Sequence, residues 1–348
     1  MLAKTHFMCG LSALAGLSYA NGSHRILQGF NSGNTLQNET PKNESDFRKE
    51  FETMQSLRNS PGLFNAVRLY TNIQAKPATP TEPLSAFKAA IDTNTSMLLG
   101  IWCSGTTNIT NELDAMALAL ETYGAKFADL VVGISVGSED LYRVSEKGIT
   151  QSGGLPGQGP ATIVQFVQDT RKAIQGTLLE DKPIGHVDTW LSWTNETNLA
   201  VIDAVDWIGT DIYPYFQNDT SELPPNLPSG QSNTFANSLP VFDYLYEWTL
   251  HAAKGKDVWL TETGYPYSGP NWGDAVPSPD NQASYWRQVG CGRLFGRVNT
   301  FWYTLRDANP ANAQKFAVVS DDVTQARFDL SCPTGCGAPP AANTKSKF

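Results

Sequence analysis

Two glutamates stand where a carboxylate is expensive to keep. Glu139 follows the apolar run of residues 130–136 in VGISVGSEDLYR, and Glu262 sits at the C-terminal end of another in VWLTETGYP. An acid at the end of a buried strand carries a desolvation cost that a solvated acid avoids. A retaining glycosidase uses two carboxyl groups roughly 5–5.5 Å apart, one as nucleophile and one as acid/base. Taken singly, either residue reads equally well as a salt-bridged strand-end acid. Together, in a chain with nine Trp and 12 Tyr, they favour the catalytic reading.

Competing motifs fail on context. Residues 133–137 (GISVG) match the G-x-S-x-G pattern, but a nucleophile elbow puts its serine at a strand-to-helix turn. Ser135 lies inside the apolar run instead. Residues 152–159 (SGGLPGQG) are Gly-rich but lack the G-K-[ST] ending of a phosphate loop. The cysteines form no paired C-x-x-C knuckles and the four His are far apart, so no metal centre is expected.

Side chains at strand ends need a scaffold that gathers those ends on one face. Eight dense apolar runs recur, at residues 26–31, 66–71, 97–102, 130–136, 183–190, 206–213, 257–263 and 299–305. Such runs suit strands buried on both faces of a parallel sheet. Helical patterns lie between them at 43–57, 111–127, 161–179, 239–253 and 281–295. The first places Phe47, Phe51, Met54 and Leu57 on one face, and the second Leu113, Met116, Leu120 and Tyr123. The alternation predicts an α/β fold, a single-domain (β/α)8 TIM barrel. An open doubly wound sheet is disfavoured because no G-x-G-x-x-G follows the first strand. Strands four and seven lie nearly opposite in such a barrel, so Glu139 and Glu262 face each other across its mouth. The long Gly/Pro/Ser/Asn-rich segments 150–160, 217–237 and 267–279 each follow a strand, on the face where barrel active sites are built.

Composition narrows the partners. The 348 residues carry 25 Lys+Arg against 34 Asp+Glu, a formal net charge of −9. That balance disfavours nucleic acid and anionic membrane, which attract basic surfaces. Charged residues make up 17% of the chain, below the about 25% of ordinary soluble domains. A weakly charged surface rich in Trp and Tyr suits a neutral polymer such as a polysaccharide. Residues 1–20 (MLAKTHFMCGLSALAGLSYA) read as a secretory signal peptide, 21–330 as the barrel and 331–348 as an irregular tail. No later apolar run reaches the about 18 residues of a membrane span. Seven N-x-S/T sequons start at Asn21, Asn38, Asn43, Asn94, Asn108, Asn195 and Asn218, candidate glycan sites on a secretory route. Cys9 leaves with the signal. Cys103, Cys291, Cys332 and Cys336 remain, and two disulfides are expected in one of three pairings.

VGSEDLYR and WLTETGYP resemble the paired signatures of glycoside hydrolase family 17, the β-1,3-glucanases, in particular the secreted fungal cell-wall branch. GFNSG, VRLYT and TDIYPYF resemble that family's first, second and sixth strand ends, and the resemblance covers residues 28–307. It implies the same barrel, β-1,3-glucan as partner, no cofactor, Glu139 as acid/base and Glu262 as nucleophile. Two positions depart from the pattern. Ser138 stands where many members have an Asn that bonds the substrate's 2-hydroxyl, and Asp211 where plant relatives usually show Asn. Tyr213, ending the sixth strand, is placed to hydrogen-bond Glu262. Tyr70, Trp102, Trp190 and Trp302 are candidate sugar-stacking platforms near strand ends, although each taken singly reads more readily as core, and Trp272, in the loop after strand seven, is the best-exposed candidate. Asp188, Asp307 and Arg68 are candidates for bonding sugar hydroxyls or the catalytic pair. Endo-hydrolysis by a monomer is the leading expectation. A glucanosyltransferase, a non-catalytic glucan-binding wall protein and an enzyme acting on β-1,4 polymers are the rivals.

Overall fold

The computed structural model describes residues 26–333, and its eight strands close into a parallel barrel in sequence order. They are β1 (Gln28–Ser32), β2 (Ala66–Leu69), β3 (Ser96–Ile101), β4 (Val131–Ser138), β5 (Ile184–Thr189), β6 (Trp207–Asp211), β7 (Asp257–Glu262) and β8 (Thr300–Trp302). Gly29 pairs with Phe301 where β1 meets β8. Each strand matches one apolar run of the sequence. Residues 70–71, 212–213 and 303–305, read as strand, have already left the ladder for the C-terminal loops.

Side chains alternate across a strand, and the barrel interior follows from that. Ala66, Leu98, Val187, Trp207, Trp259 and Phe301 form one inner cluster. Trp207 and Trp259 stack with ring centroids 4.2 Å apart. Two of the tryptophans therefore fill the barrel. Two and four residues beyond Ala66 on the same inward face come Arg68 and Tyr70. Gly29 lets β1 lie against β2, since a Cβ there would lie 1.9 Å from the Ala66 carbonyl oxygen.

The helix Glu44–Gln55 buries Phe47, Phe51 and Met54 and is capped by Asn43, whose side chain accepts from the Ser45 and Asp46 amides. The helix Thr110–Tyr123 keeps the expected stripe, with Leu113, Met116, Leu120 and Tyr123 all packing on the core, and adds smaller residues to it. Its buried residues are Glu112, Ala115, Met116 and Ala119, while Leu113, Leu120 and Tyr123 are half-buried. Small alanines let the helix sit close to the barrel, and Glu112 turns inward because Thr71 Oγ1 and the Asn72 amide donate to it. The expected helix 281–295 begins at Pro279 behind a Ser278 cap and changes to π-helical winding over Trp286–Leu294. No helix among the described residues is long and apolar enough to cross a membrane.

The cysteine expectation is met for one bond and corrected for the other. Cys291 is bonded to Cys332. Cys103, just past β3, is buried and unpaired. Cys336 lies outside the described residues, as do Asn21 and the proposed signal at 1–20. The other six sequon asparagines are all exposed. The Cys291–Cys332 bond spans 41 residues, and the Trp286 indole donates to the Leu330 carbonyl beside it, 2.9 Å away. Replacing both cysteines by serine is expected to cost about 2–4 kcal/mol, read from the urea midpoint. An unchanged midpoint would show that this closing segment opens independently of the barrel.

Candidate active site

β4 delivers Glu139 through a constrained turn. The residue sits in the left-handed region, φ 56° and ψ 27°, a conformation that costs a non-glycine residue of order 1 kcal/mol. Surrounding bonds hold it there. The Glu139 amide donates to the Val187 carbonyl at 2.9 Å. Asp188 accepts from the amides of Leu141 (2.8 Å) and Tyr142 (3.2 Å), which begin the short helix after Glu139. Asp140 accepts from the Ser138 amide and from Ser104 Oγ. Behind them is His186, fully buried. One ring nitrogen lies 2.5 Å from the Val136 carbonyl and the other 3.1 Å from Asp188. Both neighbours are acceptors, which suits a doubly protonated ring. Burial pulls the His186 pKa down, but its bond to Asp188 leaves it raised overall.

The Glu139 carboxyl itself is pushed up to about 7, first by burial and then by the negative charge of Glu262. Arg143, 3.6 Å from Glu139 Oε2, opposes the shift. A carboxyl in this range holds a proton that it can give and take back near neutral pH.

Glu262 ends β7 with only 8% of its surface exposed. Three donors converge on it. Arg68 Nη1 and Tyr70 Oη each reach Oε1 at 2.6 Å, and Tyr213 Oη reaches Oε2 at 2.7 Å. Accepting from all three is what a carboxylate is equipped to do. Arg68 is fixed in turn by Asn31 Oδ1 and Ser138 Oγ, both at 2.9 Å. Asn31 is locked by donating to the Thr261 and Phe301 carbonyls. One guanidinium thus ties the ends of β1, β2, β4 and β7 together. Asp211, in register with Glu262, is buried and accepts from Thr261 Oγ1 at 2.7 Å. Burial, then the Glu262 charge, pushes its carboxyl well above the usual range.

The structure sorts the sequence candidates. Arg68, Ser138, Tyr213 and Tyr70 meet at Glu262 or at its guanidinium partner. Tyr70 corrects its expected role: its hydroxyl bonds Glu262 and its ring lies against Arg68, 4.6 Å from centroid to guanidinium. Trp302 is no platform, since it is 1% exposed and packs on Trp286, 5.0 Å between centroids. Trp190 is buried as well. Trp272 is half-buried, edge-on to Phe216. Asp188 spends its carboxylate on backbone amides and His186, and Asp307 on the amides of Phe316 and Ala317. Trp102 remains 40% exposed, with the Arg143 guanidinium 5.6 Å from its ring centroid. Asn31, Arg143, His186 and Tyr303 were not anticipated. The Tyr303 phenol is pushed up by burial and then by Glu262.

Comparison with known proteins gives these findings. Residues 29–319 match the family model described as the BtgE/BtgC glycoside hydrolase domain. The chain is 47% identical over 312 residues to the probable glucan endo-1,3-beta-glucosidase eglC of Aspergillus oryzae, covering 89% of this chain and 64% of that protein. With its counterpart from Aspergillus clavatus it shares 48% over 307 residues, 88% of this chain and 64% of the relative. The chain therefore spans less than two thirds of these relatives' length. Among solved structures, the glycoside hydrolase family 17 beta-1,3-glucanosyltransferase from Rhizomucor miehei superposes with a TM-score of 0.67 at 18% identity, covering 88% of this chain and 98% of that one. An endo-laminarinase from Formosa gives 0.62 at 14%, covering 85% and 83%. At these identities the structures share the fold.

Proposed function

The chain belongs to the BtgE/BtgC glycoside hydrolase domain family, and from that premise we propose that it cleaves internal β-1,3 linkages of glucan with retention of configuration. The observation that supports this most is the contrast between two carboxyl groups at one mouth. Glu139 is pushed up to about 7, while Glu262 is gripped by one guanidinium and two phenols.

Glu262 attacks the anomeric carbon. Glu139 gives its proton to the leaving glycosidic oxygen, and a glycosyl ester forms on Glu262. Glu139, now a carboxylate, takes a proton from water as the water oxygen bonds the anomeric carbon. The ester C–O bond breaks and its electron pair returns to Glu262. Arg68, Tyr70 and Tyr213 aim the nucleophile in the first step and receive its charge again in the second. Ser138 Oγ accepts from Arg68 and keeps its own proton for a sugar hydroxyl. The probable endo-1,3-beta-glucosidases above favour laminarin-type glucan as the substrate. The leader-like residues 1–20, the Cys291–Cys332 bond and the exposed sequons favour secretion into an oxidising compartment.

Incubation with a reduced laminarin oligosaccharide, beside cellulose and mannan, tests the proposal. Shorter β-configured products from laminarin are expected. Binding without turnover would leave a glucan-binding wall protein, and cleavage of cellulose or mannan instead would overturn the linkage. Trp102 is the exposed aromatic at the mouth, and an aromatic platform contributes about 1 kcal/mol, so Trp102→Ala is expected to raise KM for laminarin about fivefold with kcat little changed. An unchanged KM would remove Trp102 from the substrate path.

A further inference from the structure

Asp211 is a third carboxyl at the barrel mouth, and the two-glutamate route leaves it without a task. It ends β6 in register with Glu262 and is buried. On its other side β5 sets the uncharged Thr189. Its bonding is one-sided. Oδ1 accepts from Thr261 Oγ1, while Oδ2 is buried with no hydrogen-bond partner. Glu262, by contrast, accepts from Arg68, Tyr70 and Tyr213.

The cation that bears on both carboxyls is the buried guanidinium of Arg68. It can balance one of them. Three donors make Glu262 the ionised member, and the orphaned oxygen of Asp211 is where a proton costs least. Burial, then the charge of Glu262, pushes the Asp211 carboxyl well above the usual range; Arg68 opposes the shift and Glu139 adds to it. In the resting protein Asp211 is a neutral acid.

Esterification of Glu262 reverses the balance. The negative charge 2.6 Å from Arg68 disappears, and Arg68 Nε already lacks a partner. An unpaired buried cation is costly. The repulsion that kept the proton on Asp211 ends at the same moment. We propose that Asp211 is a standby counter-ion, which gives its proton to solvent as the glycosyl ester forms, balances Arg68 for the life of the ester, and takes a proton back when Glu262 is released. The proposal rests on the catalytic reading above. Asp211 makes no bond to carbon. Its O–H bond breaks in the first step and forms again in the second, with water carrying the proton both ways. It acts through Arg68, as a positioning residue.

The test counts protons. Glu262 is the second cause of the raised Glu139 pKa, so Glu139 would release a proton too, and the count is made in Glu139→Gln. A 2-deoxy-2-fluoro-laminaribiosyl fluoride esterifies Glu262 as its C–F bond breaks and fluoride leaves with the electron pair, which needs no acid. Peptide mass locates the sugar. Release of about one proton per ester is expected near pH 7, read with an indicator dye in weak buffer, against about none from Glu139→Gln with Asp211→Asn. The double variant is also expected to form the ester about tenfold more slowly near pH 7, the gap narrowing as pH falls. Should the double variant not fold, carboxyl NMR of Asp211 in Glu139→Gln answers alone, its signal moving to the ionised position on trapping. An ester formed with no proton released and no movement of that signal would overturn the proposal and leave the nucleophile in place. Equal proton release or equal rates in the two variants would overturn it as well. No sugar on Glu262 in either variant would refute the catalytic reading, and the standby role with it.

Discussion

Glu262→Gln is expected to lower kcat on laminarin by on the order of ten-thousand-fold or more, because an amide cannot form the glycosyl ester that the two-step route requires. The substitution is nearly isosteric, so the residue stays within reach of its three partners. The amide oxygen still accepts from Arg68 and Tyr70, and the amide nitrogen donates to the Tyr213 hydroxyl, which can turn to accept. Arg68 loses its close counter-charge at 2.6 Å, so some stability is lost as well. A second readout separates chemistry from structure. The charge of Glu262 is the second cause of the raised Glu139 pKa, so Glu262→Gln is expected to bring Glu139 down from about 7 towards 4.5, followed by carboxyl NMR. Turnover within tenfold of wild type would end the assignment of Glu262 as nucleophile.

Glu139→Gln removes the proton donor, and general acid–base catalysis contributes about 10²–10⁴-fold. The loss is expected in full on laminarin, whose leaving sugar needs a proton, and less on an aryl glucoside with a good leaving group. Azide, which attacks without a base, is expected to restore turnover and yield a glucosyl azide. The pH profile supplies the sign. Glu139 acts as the acid only while protonated, so wild-type kcat/KM is expected to fall as pH rises through about 7, and the variant to lose that limb. Stability runs the same way. A folded-state pKa raised from 4.5 to about 7 means that the folded protein holds the proton more tightly than the unfolded chain. Stability therefore declines as pH rises between those values. Glu139→Gln is expected to melt higher than wild type at pH 8 and to lose that advantage at pH 4. An identical alkaline limb in both proteins would place the acid elsewhere.

The strands and the two strand-end glutamates stand out in the sequence because both rest on local contrast. An acid or an arginine inside an apolar run, as at Glu262 or at Arg68 in VRLYT, has to be neutralised by something on the inward face. Asn31 gives the same signal in GFNSG, but an Asn near a strand end also reads as a turn residue. The aromatics stay ambiguous in the sequence for a different reason. Which face a strand residue takes depends on parity, and parity is reset wherever the register slips. Such shifts occur at Met97/Leu98, between Ser135 and Ser138, and at Thr210/Asp211. Trp302 and Trp102 look alike as strand-end tryptophans, yet one packs under a helix and the other meets solvent. The Cys291–Cys332 pairing and the Lys147–Glu222 contact join segments far apart in sequence, and nothing local encodes either.

The Cys291–Cys332 bond also fixes where a handle can be placed. Cys291 lies in the last turns before β8 starts, at the end of the barrel opposite Glu139 and Glu262. A linker fused after residue 333 therefore leaves from the floor. Immobilised that way, the protein would present its open mouth to a suspended polymer, and a pull on the linker would load the helix at Cys291 before it could peel away the closing segment.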